Sequence, residues 1–346
     1  MHYTSLVPPQ NRGMRVLDRE AFRKVYTTLA IRVPNQLVKP LMIQLEDKLL
    51  NQPRISSVVS DGTRNDTKLI LLRLDIKDVK ESFSQDKLEL IQPYDILNYE
   101  FQVDYDYWTT DQILYSVMPE GDAETPSSFA TTGHIAHVNL RQENMPFKSL
   151  IAQVILDKNK KIKSVVNKTN QIDNTYRNFQ MEVLAGDHNL ITELKENDCK
   201  FKFDFSKVYW NSRLQAEHRR LVDIFKKGDY ICDVMAGVGP FSIPAVKKGA
   251  VVYANDLNPA SYESLCGNIQ LNKIKQNIKT YNMDGRAFIK KAVHDLSIET
   301  NNDRTFDHFI MNLPATAIEF LGIYLCKTML SKASTKGKIS LQLDSQ

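Results

Sequence analysis

The chain has 346 residues, enough for two or three domains with a well-buried core, and its 42% apolar and 25% charged content is that of an ordinary globular protein. Its net charge of +4, from 45 basic against 41 acidic residues, is too mild to identify a nucleic-acid partner, and no apolar stretch approaches the ~20 residues of a membrane span. Cys199, Cys232, Cys266 and Cys326 lie far apart with no Cys-x-x-Cys pair, which argues against a zinc or disulfide framework and for a reducing compartment.

The first 40 residues lack a signal-peptide apolar core and are Arg-rich and acid-poor, a composition compatible with a mitochondrial presequence. Asp18–Leu29 is read as helical, KLILLRLDI (68–76) as a strand, and NQPR (51–54) and DGTRND (61–66) as loops. A polar stretch at 116–133 reads as a long connection, followed by the apolar runs HIAHVNL (134–140) and SLIAQVILDKN (149–159). Two basic runs, Arg12 to Lys24 and Lys158 to Lys168, read individually as solvated surface.

From about Asp198 the texture changes. FKFDFSKVYW alternates like a half-buried strand, and RLQAEHRRLVDIFKKG has helical spacing with a stop at Gly228. Apolar strand cores then alternate with helical segments: YICDVMA and a helix from Pro240, VVYANDL and PASYESLCGNIQLN, IKTYNM and GRAFIKKAV, DHFIMNL and ATAIEFLGIYLCKTML, and finally KISLQLD. This is the pattern of an α/β fold with a parallel sheet covered on both faces. Pro244 predicts a distorted first turn in the helix after Gly239.

Ligands on such sheets bind beyond the carboxyl ends of the strands, near the reversal in strand order. Asp233 ends the first strand and leads into Gly237-Val-Gly239, but Ser242 stands where the dinucleotide fingerprint needs its third glycine. The second strand ends at Asp256, placed to accept from ribose hydroxyls, and the third at Asp284, placed to take an exocyclic amine. For each acid alone a helix N-cap is an equal alternative. Together with the glycines they favour an adenosine-type ligand without a pyrophosphate, S-adenosylmethionine. The fourth strand ends Asn312-Leu313-Pro314, a turn able to aim acceptor oxygens at a planar base.

DVMAGVGPFSIP, YANDLNP, NIQLNK, MDGRAF and MNLPATAIEFL, with the upstream stretches TYRNFQMEVLAG and VYWNSRLQAEHRR, resemble the archaeal and eukaryotic tRNA (guanosine-37 N1)-methyltransferases over roughly residues 90–322. The resemblance implies a class I, Rossmann-like methyltransferase sheet at 201–346, preceded by two smaller α+β domains: a tRNA-contacting one at 1–98 and a middle one at 99–200. It implies Glu217 as general base on N1–H, Arg177 as the partner of charge on O6, and Asn312 and Pro314 at the base. Arg213 is implied near the tRNA. His218, Asp256, Leu257, Asp284, Gly285 and Asn312 are implied at S-adenosylmethionine, beside Asp233, Gly237 and Gly239 of the first strand end. A pocket that desolvates Glu217 would strengthen it as a base. Tyr176, Phe179, Tyr209 and Trp210 are candidates for stacking on an anticodon loop.

The implied partner is tRNA, with no membrane and a monomeric state; cytoplasm, nucleus and mitochondrial matrix all suit the family. After Phe320 the sequence departs from the family's pattern, and the sheet is expected to be truncated at its C-terminal edge, with KISLQLD as its last strand. Two other functions follow from the same residues: a catalytically impaired tRNA-binding homologue, and the aminocarboxypropyl transferase of the wybutosine pathway, which shares fold and cofactor.

Overall fold

The computed structural model describes residues 6–119, 126–172, 179–312 and 338–342; for 169–172, 179–180 and 338–342 only the backbone is described. Its contacts divide the chain into two compact units, Met1–Ser127 with Glu143–Lys158, and Ser128–Gln142 with Asn159–Gln346. The expected domain boundaries after residues 98 and 200 both fall inside strands.

The first unit is built on a four-stranded sheet in the order β2-β3-β1-β4. Its elements are β1 (Lys24–Pro34), α1 (Val38–Gln44), β2 (Val58–Ser60), β3 (Thr67–Leu71), α2 (Val79–Ser82), α3 (Gln85–Ile91), β4 (Ile96–Val103), α4 (Thr110–Val117) and α5 (Lys148–Lys158). All its strand pairs are antiparallel. Alternation along β1 sends Ile31 and Val33 into one core with α1 and α3, and Ala30 into a second with Leu50, Leu69 and Leu71. The helix expected over Asp18–Leu29 is absent: a short 3-10 turn, Glu20–Phe22, leads straight into β1. KVYTTLAIRV is rich in β-branched and aromatic residues, and pairing with both β3 and β4 overrides the apparent helical spacing. The basic run before it is largely spoken for. Arg19 pairs with Asp157 at 2.7 Å, Arg23 with Glu20, and the Lys24 ammonium donates to the Val7 carbonyl.

The second unit carries a four-stranded sheet, β5 (Ala130–Thr132), β6 (Ile135–Val138), β7 (Ser164–Ile172) and β8 (Phe179–Gly186), and a hairpin of β9 (Ile191–Glu196) and β10 (Cys199–Asp204). Its centre is a five-stranded sheet in the order β13-β12-β11-β14-β15, parallel throughout. The elements are α6 (Gln215–Ile224), β11 (Tyr230–Asp233), α7 (Ser242–Lys247), β12 (Val251–Asn255), α8 (Pro259–Leu271), β13 (Ile278–Tyr281), α9 (Gly285–Glu299), β14 (His308–Asn312) and β15 (Lys338–Gln342). KISLQ, the described part of that last run, therefore does form a strand, paired with β14.

Strand alternation divides the buried side chains between two faces. Ile231, Val252, Ala254 and Ile310 pack with Leu221 and Val222 of α6, residues of α7, and Leu265 of α8. Cys232, Tyr253, Phe309 and Met311 pack with Phe288, Ile289, Ala292 and Leu296 of α9. A fully buried Phe288 stands for about 3–5 kcal/mol on truncation to Ala and secures α9 to its face. α7 begins at Ser242 rather than at Pro240, which puts Pro244 in the first turn, where a missing N–H costs no helical bond.

Candidate active site

The strand order reverses between β11 and β14: from β11 the chain moves outward through β12 and β13, then returns to β14 on the other side. Asp233 and Asn312 stand at the carboxyl ends of these two neighbours. Asp233 is in register with Ile310, so alternation puts both Asp233 and Asn312 on the face covered by α6, α7 and α8. Each presents a buried oxygen, Oδ1 in both cases, with no hydrogen-bond partner. Buried polar atoms are rarely left so, and a pair of them at a switch point invites donors from a ligand.

Asp233 is fully buried, and its other oxygen accepts from the Ser242 hydroxyl at 2.6 Å. Burial pushes its carboxyl up to about 7. Between Asp233 and α7, Gly237 and Gly239 adopt φ of +55° and +99°. A Cβ on Gly239 would stand 2.8 Å from Ile243 and Leu265, whereas one on Gly237 would meet nothing within 4 Å. Gly239 is thus required by packing, and Gly237 borders open space where a ligand can approach the backbone.

Asp256 follows β12. Its Oδ2 accepts from the Gly237 N–H at 2.8 Å and its Oδ1 from the Asn258 N–H at 2.9 Å. Burial raises its carboxyl above the ordinary range. Each oxygen retains a lone pair, so ribose hydroxyls remain acceptable donors. Leu257 beside it is exposed. Asp284 takes the bland role foreseen for it: its Oδ1 caps α9 by accepting from the Arg286 and Ala287 N–H groups, with Gly285 buried behind it. The residue that sequence reading missed is Asn255. Its amide donates to the Val234 and Met283 carbonyls and accepts from the Met283 N–H, tying together the ends of β11, β12 and β13. Its place one residue before Asp256 in a buried strand was the available signal.

The helix α6 brings Glu217 and His218. His218 is buried, its Nδ1 lies 2.6 Å from Glu196 Oε1, and its ring meets that of Phe241 edge-on at 4.9 Å. Phe241 is two residues beyond Gly239, so the N-terminal turn of α6 lies against the glycine turn. Glu217 is half-buried and gripped at both oxygens by Arg220, one turn along, at 2.6 and 2.5 Å. Those hydrogen bonds hold its carboxyl below the usual range. The desolvation expected to strengthen Glu217 as a base is outweighed here by the guanidinium. Arg213 is exposed in the 3-10 turn before α6. Trp210 is buried against Phe203 and serves as core, and Tyr209 is half-buried. Arg177, Tyr176 and Pro314 lie outside the described residues, and Phe179 is described only as backbone.

Among the described residues no group of histidine, cysteine and acidic side chains could hold a metal ion, and no helix is long and apolar enough to cross a membrane.

Residues 192–329 match the TRM5/TYW2 methyltransferase domain, and residues 110–189 the TYW2 N-terminal domain. Over 92% of its length the chain is 43% identical to the tRNA (guanine(37)-N(1))-methyltransferase of Batrachochytrium dendrobatidis, covering 75% of that protein. It is 44% identical over 90% of its length to the enzyme of the same name from Schizosaccharomyces pombe, covering 78% of it. The chain belongs to the tRNA (guanine(37)-N(1))-methyltransferase family. Against the Mus musculus member it is 44% identical over 92% of its length but spans 65% of that relative. The structure of Trm5b from Pyrococcus abyssi superposes with a TM-score of 0.59 at 25% identity, covering 86% of this chain and 80% of that one. That of aTrm5 with tRNALeu gives a TM-score of 0.62 at 23% identity, covering 86% and 83%. The class I, Rossmann-like architecture expected from the family is therefore borne out.

Proposed function

We propose that this chain transfers a methyl group from S-adenosylmethionine to N1 of guanosine 37 in tRNA. One observation carries the reading: at the switch point of the sheet, two buried and unpartnered acceptors, Asp233 Oδ1 and Asn312 Oδ1, share a face with α6, which bears Glu217. The similarity to N1-methyltransferases across nine-tenths of the chain favours methylation over aminocarboxypropyl transfer.

The residues suit the donor. Gly237 leaves room at the backbone, and Asp256 has acceptor capacity for a ribose. Asp233 offers a buried, unpartnered carboxyl oxygen to the ligand, while His218 and Gly285 wall the site and Leu257 and Asp284 stand exposed at its rim. Bound there, S-adenosylmethionine supplies an electrophilic methyl group on sulfur.

Guanine N1 keeps its proton at neutral pH and cannot accept a methyl group until that proton leaves. Glu217 takes it. Arg220 must first release the carboxylate, and the phosphates of an incoming RNA compete for that guanidinium. Loss of the proton moves negative charge to O6, which Arg177 meets in the transition state. Asn312 Oδ1 accepts from an N–H of the base, Pro314 is assigned to the base with it, and Arg213 takes a phosphate. The anticodon loop is already partly unstacked, which lowers the cost of presenting the base. The segment 1–98 contacts the tRNA, and the chain acts as a monomer.

Labelled methyl donor with tRNA transcripts tests this. Methylation of a G37 transcript, with none of the A37 or C37 variants, is the expected result. Equal labelling of all three, or an aminocarboxypropyl mass shift, overturns it.

A further inference from the structure

We infer that Asn268 is a positioning residue for the glycine turn; this rests on the reading of that turn as the donor site. Asn268 lies on α8 within NIQLNK, a stretch to which no role attaches, and is 1% exposed. Its Oδ1 accepts from the Lys202 N–H of β10 at 2.7 Å, and its Nδ2 donates to the Val238 carbonyl at 3.1 Å. One partner is a donor and the other an acceptor, so the orientation of the amide is fixed by chemistry. Val238 is the residue between Gly237 and Gly239.

One helical turn further on, Asn272 accepts from the Lys200 N–H at 3.0 Å and donates to the Lys200 carbonyl at 2.6 Å. A helical turn of about 5.4 Å is close to the two-residue repeat of a strand, about 6.6 Å. Side-chain amides at i and i+4 therefore act as a surrogate strand along the edge of β10. Both asparagines dock the hairpin, but only Asn268 reaches on to the turn.

That reach matters because a turn with two glycines at positive φ has little stiffness of its own. Hydrogen bonds supply it. The Gly237 N–H is held by Asp256, the Gly239 N–H donates to the Ala236 carbonyl at 2.9 Å, and the Val238 carbonyl is held by Asn268. Of the two side chains that hold it, Asp256 and Asn268, Asn268 is the one outside the ligand's own contact set. Without it, the turn must be ordered when the donor binds, and donor affinity falls by the cost of that ordering.

The experiment compares Asn268→Asp with Asn272→Ala in the full chain, by calorimetric titration with S-adenosylmethionine and separately with tRNA. Asn268→Asp keeps the acceptor for Lys202 but sets an oxygen against the Val238 carbonyl. It should weaken donor binding about tenfold or more and leave tRNA affinity within about twofold. Asn272→Ala should lower the melting temperature through the hairpin while donor affinity stays within about twofold. If Asn268→Asp does not fold, Asn268→Ser, which puts no charge beside the carbonyl, carries the same expectation. Donor affinity equal to wild type in a folded Asn268 variant, or an equal loss in Asn272→Ala, overturns the inference alone. A wild-type chain with no donor affinity overturns the site reading and the inference together.

Discussion

Glu217 carries a carboxyl whose basicity is set by where one guanidinium goes. In the structure Arg220 donates to both of its oxygens and holds it below the ordinary range, a state suited to a docked ion pair and unsuited to taking a proton from guanine. Removing Arg220 lets the carboxyl rise toward the usual glutamate value, a direction of change that pure surface pairing would not couple to catalysis. In Arg220→Gln the acid limb of the pH profile of kcat/KM should therefore move to higher pH, with the melting temperature changed little. A limb that stays put would mean that Glu217 is not the base, or that Arg220 has already left it in the bound complex. The i,i+3 spacing of Glu217 and Arg220 was open to view in the sequence. What was not legible is that the pair competes with the role the family implies, because that is visible only once both side chains are placed.

Elements meet at this site through amides as much as through apolar packing. The parallel sheet could be read from strand cores alternating with helical segments, and all five strands fall where the apolar runs put them. The helical reading of Asp18–Leu29 went wrong because spacing was weighed above the β-branched content of residues 25–33. The position of Asn255 hinted at a role, but the partners of Asn255 and Asn268 could not be read, since they lie up to 66 residues away in the chain. Asn255 has a measurable consequence at this scale. Its one amide satisfies Val234 and Met283, so Asn255→Ala strands three polar groups at the ends of β11 and β13, at a cost of roughly 2–3 kcal/mol. A fall in melting temperature of about 5–10 °C is expected, together with weaker donor binding as the rim of the sheet loosens. A variant that melts within a degree or two of wild type would show that the strand ends are held by the ladder alone.

For the molecule as a whole, one buried and one half-buried group pull stability in opposite directions as pH changes. Asp233 is raised from 3.8 to about 7 by burial, so the folded chain holds a proton that the unfolded one has lost, and stability drains away as pH rises through that window. Asp256, raised by the same cause, leans the same way. His137 is lowered from 6.5 to about 4, first by burial and then by the charges of Lys168 and Arg213. It is held neutral where the unfolded chain would be protonated, so its contribution is present above 6.5 and lost as pH falls toward 4. Between pH 4.5 and 6.5 each group acts with a limiting slope of about 1.4 kcal/mol per pH unit, of opposite sign. In the wild type the falling components of Asp233 and Asp256 work against the rising component of His137 there. Asp233→Asn removes one of the falling components and should tilt the slope upward relative to wild type, whereas His137→Gln removes the rising component and should tilt it downward. Denaturant titrations of the three proteins across that range read the slopes directly, and any other ordering of them means that one of the two groups is not buried in the ionisation state assigned to it.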